Sequence, residues 1–116
     1  MTRPLQELAD AIRKNGYKQN NDGNLFEINK DYTHITSACA LGQAAINLGY
    51  IKEDEVLALR RQGIWPNSIY EKFREEFGGH EKIGHFFWYE RVYLMNDAGK
   101  SLDEIADYLE AHIATQ

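Results

Sequence analysis

Between Tyr32 and Ile51 the chain carries no Asp, Glu, Lys or Arg, although 27% of its 116 residues are charged. At that density about five charges belong in a window of this length. A segment that excludes charge is one that folding buries, because an unpaired buried charge costs more than a small domain can offset. The segment is not a membrane span either. Thr33, His34, Thr36, Ser37, Gln43 and Asn47 put too many polar groups into it for hydrocarbon. Cysteine is nearly missing as well: Cys39 is the single one, so no internal disulfide can form. The opening Met-Thr-Arg-Pro-Leu-Gln-Glu lacks the apolar core of a signal peptide. These absences predict a cytoplasmic protein without membrane contact.

Chemistry-bearing patterns are also scarce. No glycine-rich Walker or dinucleotide loop occurs, and neither Cys-x-x-Cys nor His-Glu-x-x-His is present. His80 and His85, with Asp97 beyond them, come nearest to a metal set, and their spacing matches no ligand pattern. Neither a metal nor a cofactor is expected. Residues 1–50 carry five basic and five acidic side chains, and residues 51–116 carry eight and thirteen, so the net charge of −5 sits in the second half. General binding to DNA or RNA backbones needs a basic face, which this distribution does not offer.

What is present reads as one α+β domain, mostly α, spanning 1–116. Leu5, Leu8, Ala9 and Ile12 mark an opening helix, with Thr2 as its cap, Pro4 in its first turn and Lys14-Asn15-Gly16 as its stop. Residues 17–36 predict a hairpin or short sheet, because Asp22-Gly23 is a hairpin signal and Tyr32, Thr33, Ile35 and Thr36 favour extended chain. The central uncharged helix covers about 38–48, capped by Ser37 and ended by Gly49. Leu41, Ala44, Ala45 and Leu48 form one face, and Cys39, Gly42, Gln43 and Ile46 the other, so both sides pack. Gly42 weakens a helix, and close approach of another backbone is the compensating benefit. Further helices follow over about 53–62, 69–77, 82–96 and 102 onward. Capping boxes at Ser68–Glu71 and Ser101–Glu104 open two of them, making about six helices in all.

Two chemistries compete for the functional role. A thiol in the first turn of a helix feels the positive end of the helix dipole, so Cys39 is the candidate nucleophile of a cysteine-dependent hydrolase or transferase. His34, His80, His85 and His112 are its candidate bases, though nothing in the spacing positions one of them. Against that, free cysteine is among the most buried residue types. The other reading starts from Phe86-Phe87-Trp88-Tyr89. Four consecutive helical positions sweep about 300°, so this run cannot face a single core. Trp65, Phe87, Trp88 and Tyr93 are then the residues for stacking on a small aromatic or nucleotide-like ligand, or on a partner protein. A homodimer through the aromatic helix is the third arrangement. Asn96-Asp97 reads as a helix stop whose side chains satisfy the turn, and Gln19 has no local role that the pattern names.

Four short motifs, Gly16-Tyr17-Lys18-Gln19, Cys39-Ala40-Leu41-Gly42, Asn96-Asp97 and the capped segment Ser101 to Leu109, span most of the chain. In this layout the sequence resembles a family of small uncharacterised proteins of bacteria and their phages. The acidic, aromatic stretch 65–95 departs from that layout, where a shorter segment is expected. The resemblance implies the fold, a phage-associated setting in a bacterium or infected host, and Gln19, Cys39, Gly42, Asn96 and Asp97 as motif residues. It implies no catalytic assignment. The expected function is that of a small binding protein, a phage accessory or counter-defence factor, with the Cys39 enzyme as the alternative.

Overall fold

The computed structural model describes residues 4–14, 16–21, 23–77 and 88–114. Within them the order is α1 (Leu5–Arg13), β1 (Lys18–Gln19), β2 (Phe26–Ile28), β3 (Ile35–Ala38), α2 (Ala40–Asn47), α3 (Glu53–Arg61), α4 (Ile69–Phe77), α5 (Trp88–Asp97) and α6 (Leu102–Ala114). The fold is α+β and mostly α, as the patterning predicts.

The helices form where apolar residues recur on one face. Leu5, Leu8, Ala9 and Ile12 of α1 are buried, and α1 packs on α2 and α6. Arg13 ties the end of α1 to Asp107 and Glu110 of α6, which raises the Arg13 pKa through those two carboxylates. Pro4 occupies the cap position of α1 and provides no side-chain bond, while Thr2 and Asn15 lie outside the described residues. The capping box at the start of α6 forms as expected: the Glu104 N–H donates to Ser101 Oγ at 3.1 Å, and the Ser101 N–H donates to Glu104 Oε1 at 3.2 Å. The Ser101 N–H, and then the Ser101 side chain, hold the Glu104 carboxyl pKa below its ordinary value. Gly49, Gly63 and Gly99 follow α2, α3 and α5 with φ of 81°, 75° and 92°, the left-handed geometry of helix stops. The flexible joint expected at Gly78-Gly79-His80 and the first half of the helix expected over about 82–96 lie outside the described residues.

The sheet corrects one expectation. Asp22-Gly23 predicts a hairpin, but the strands on either side of that turn do not pair. The order is β1-β3-β2, with β1 parallel and β2 antiparallel to β3. Both flanking strands bond to β3, the most buried of the three, because its pattern keeps Ile35, Ser37 and Ala38 inside. The true hairpin joins β2 to β3 across residues 29–34. Asn29 organises that turn: its Oδ1 accepts the N–H groups of Thr33 (2.9 Å) and His34 (3.0 Å), and its Nδ2 donates to Thr33 Oγ1 at 2.7 Å. Tyr32, expected to be extended, instead sits at φ 57° in the bend.

The central uncharged helix is shorter than predicted and differently capped. Ser37 and Ala38 belong to β3, where they pair with Lys18 and Gln19 on one side and with Glu27 and Phe26 on the other. The Ser37 hydroxyl is spent on sheet neighbours, donating to Glu27 Oε1 at 3.0 Å and accepting from Asn20 Nδ2 at 3.2 Å. The helix cap passes to Cys39, whose Sγ accepts the Gly42 N–H at 3.5 Å. Residues 40–45 are all buried, so α2 does pack on both sides. Gly42 makes the close approach inferred from its position. A Cβ built there would lie 2.3 Å from the Leu25 carbonyl oxygen and 3.2 Å from the Phe26 ring.

Candidate functional site

The uncharged segment and the motif residues meet at one junction, where β1, the start of α2 and the end of α5 come together. Asn96, on the last turn of α5, is fully buried. Its Oδ1 accepts the Ala40 N–H at 3.0 Å and Gln19 Nε2 at 2.8 Å, and its Nδ2 donates to the Asn20 carbonyl at 2.7 Å. Gln19 Nε2 also donates to the Lys100 carbonyl at 2.8 Å. One layer deeper, the amide of Gln43 acts as a rung between strands. It accepts the Tyr17 N–H at 3.3 Å and donates to the carbonyls of Tyr17 (3.0 Å) and Ala38 (3.4 Å). The turn role expected for Asn96 is therefore corrected. Its side chain leaves its own turn to satisfy the first free N–H of α2, because that helix start is buried and water cannot reach it.

The hydrogen bonds of this junction account for the side chains of Asn96 and Gln43 as ties between β1, α2 and α5. Cys39 lies within it but is 5% exposed. Burial pushes its thiol up to about 11 from an ordinary 9.0, against the opposing pull of the Gly42 and Leu41 N–H groups at the helix start, and Asp97 adds a smaller rise. The desolvation cost of the thiolate thus outweighs the helix dipole. The only group bonded to Sγ among the described residues is a backbone N–H. His34 is exposed in the β2–β3 turn, beside Thr33. His80, His85 and the His112 side chain lie outside the described residues. No cluster of three metal-ligating side chains occurs among the described residues, and no described helix is long and apolar enough to cross a membrane.

A second location has the opposite character: open, aromatic and cationic. A groove of about 460 Å³ runs beside β2. One wall is the strand and its continuation, Phe26 to Lys30, and the other is formed by Tyr32, Arg60 and Trp65. The C-terminal turn of α3 positions that second wall. Arg61 Nη2 donates to the Tyr32 carbonyl at 2.8 Å, which ties the β2–β3 turn to the helix end. The Arg60 guanidinium carbon lies 3.6 Å from the centroid of the Trp65 ring, a cation–π stack that props the indole against the groove. Trp65 nevertheless remains 48% exposed and Tyr32 40% exposed. Arg60 Nη1 has no hydrogen-bond partner among the described residues.

Of the four residues expected to stack on a ligand, the described residues place two. Trp65 lines the β2 groove, whereas Tyr93 is exposed on α5 and is not part of that groove. Phe87 and the Trp88 side chain lie outside the described residues. Sequence reading missed Tyr32 and Arg60. Sequence patterning favours extended chain at Tyr32 and singles out no binding role for Arg60, and neither residue type carries a signal that it will meet Trp65 across a turn. Comparison with family models, with curated proteins and with solved structures finds no match to this chain.

Proposed function

We propose that this protein works by non-covalent binding and that the groove between β2 and the end of α3 is its binding site. One observation carries the reading: Trp65 and Tyr32 stand exposed in one groove with Lys30 and with Arg60, whose guanidinium stacks on the Trp65 ring. Large aromatic side chains held rigid beside cations cost little entropy to bury further, which suits recognition of an aromatic, anionic or mixed surface. The alternative, a Cys39 hydrolase or transferase, is disfavoured by the thiol's burial and raised pKa. The resemblance in motif layout would place this protein in a phage-associated setting, as a small accessory factor that binds a host protein or holds a nucleotide-like ligand in the bacterial cytoplasm.

The test is affinity capture with wild-type and Trp65→Ala proteins side by side, from bacterial lysate and from a nucleotide mixture. The expected result is a complex kept by wild type and lost with Trp65→Ala. Absence of any complex, or one indifferent to Trp65, would overturn the reading.

A further inference from the structure

The main chain of β2 offers what the side chains of the groove do not specify. In an antiparallel ladder, residues that bond to the partner strand alternate with residues whose N–H and C=O point the other way. Leu25 and Asn29 both bond toward β3. The Cys39 N–H reaches the Leu25 carbonyl at 3.1 Å, and the Asn29 N–H reaches the His34 carbonyl at 3.2 Å. The register shifts between Glu27 and Ile28, but the extra residue, Thr36, is on β3, so Phe26 and Ile28 keep the alternate positions of β2 and their main-chain groups face away from β3. The sheet order β1-β3-β2 places no strand on that side among the described residues. The same segment, Phe26 to Lys30, forms one wall of the Trp65 groove.

Resting on the reading that this groove is the binding site, we propose that its occupant is an extended peptide segment of a partner protein, which adds to the sheet as a fourth strand beside β2. Two outward donor–acceptor pairs, two residues apart, are matched by another extended backbone, the geometry of strand addition. A single planar ligand would leave them unpaired. The charges select the peptide. The groove is lined by two cations, Lys30 and Arg60, against one carboxylate, Glu27, which also accepts the Ser37 hydroxyl, and no ion pair among the described residues engages Lys30 or Arg60. The groove therefore favours an acidic side chain, in a protein whose net charge is otherwise negative. Side chains of an added strand alternate in direction, so an apolar or aromatic residue two positions from the acid reaches the exposed Trp65 ring.

The experiment selects displayed peptides of about ten randomised residues on the wild-type protein, with counter-selection on Trp65→Ala. The expected peptides carry an acidic residue and an apolar or aromatic residue at two-residue spacing. They protect the Phe26 and Ile28 amide protons from hydrogen exchange and bind Lys30→Glu more weakly. N-methylation at the pairing positions weakens them about tenfold per N–H removed, the worth of one net hydrogen bond. Peptides that bind equally well when N-methylated, or leave exchange at Phe26 and Ile28 unchanged, would overturn strand addition while leaving the groove reading intact. Failure to enrich any peptide, alongside a nucleotide that binds wild type and not Trp65→Ala, would do the same. Peptides that bind without regard to Trp65 would overturn both.

Discussion

Gly42→Ala is the substitution for which the structure and helix propensity disagree most sharply. In an unconstrained helix interior this change stabilises by about 1 kcal/mol, because alanine loses less backbone freedom than glycine. Here the added Cβ would stand 2.3 Å from the Leu25 carbonyl oxygen, short of ordinary contact by about 1 Å. The obstacle is backbone, so no rotamer change relieves it. Separating α2 from the Leu25 peptide also strains the Cys39 N–H bond to that same carbonyl. Overpacking of this kind costs about 1–3 kcal/mol, and a weakened buried hydrogen bond about 1 kcal/mol more. The net expectation is destabilisation of about 1–3 kcal/mol. For a domain of this size that lowers the thermal midpoint by roughly 5–15 °C. Differential scanning calorimetry of wild type, Gly42→Ala and Gly16→Ala is the assay. Gly16 has no heavy atom within 4 Å of its built Cβ and no positive φ, so its alanine variant should stay within about 0.5 kcal/mol of wild type. A Gly42→Ala protein as stable as wild type, or more so, would refute the packing of α2 on the Leu25–Phe26 strand.

Four further outcomes concern the junction around α2 and other buried groups. Asn96→Ala removes the amide that bonds the buried Ala40 N–H and the Asn20 carbonyl and should cost about 3 kcal/mol in urea denaturation. Asn96→Asp keeps the acceptor for Ala40 but cannot donate to Asn20. Because burial raises a carboxyl pKa, this variant should regain stability as pH falls and lose it as pH rises. Cys39 in the folded protein should react with a disulfide reagent near neutral pH far more slowly than in the denatured chain, since its pKa is about 11 and it is buried. Reaction at the denatured rate would contradict its placement. Alkaline stability has a defined sign. Cys39 is raised from 9.0 to about 11, and Tyr17 and Tyr70 from 10.0 to about 12, chiefly by burial. Each holds its proton longer when folded, so their contribution is intact below pH 9.0 and is lost as pH rises through the folded values. Denaturation midpoints measured from about pH 8 to about pH 11 should fall steadily, and a flat profile would contradict these burials.

Periodicity and charge pattern made the helices legible. The stripe of α1, the two buried faces of α2 and the capping box of α6 each express a local rule that tertiary packing did not override. The sheet was less legible, because Asp22-Gly23 reports that the chain turns and not which strand receives it; β3 won both partners through its buried pattern. The cap of α2 was misplaced for a related reason. Ser37 is the better capping residue in isolation, but its hydroxyl serves Glu27 and Asn20 once β3 pairs on both sides. The junction at Asn96 is long-range: Gln19 is 77 positions away and Ala40 is 56. Sequence motifs could single out these residues without showing that they meet. Of the candidate site, Trp65 was named from its residue type, while Tyr32 and Arg60 depend on a turn conformation and a helix end that no spacing encodes.

The central claim is that the protein acts through its open groove and not through its thiol. Its most direct test places wild type, Trp65→Ala and Cys39→Ser in one binding assay, with the captured partner or ligand quantified by mass spectrometry. Trp65 is exposed and Cys39 is buried without a described base, so the account predicts that Trp65→Ala loses the complex and Cys39→Ser retains it. A complex lost with Cys39→Ser, in a protein shown to remain folded, and kept by Trp65→Ala would contradict it.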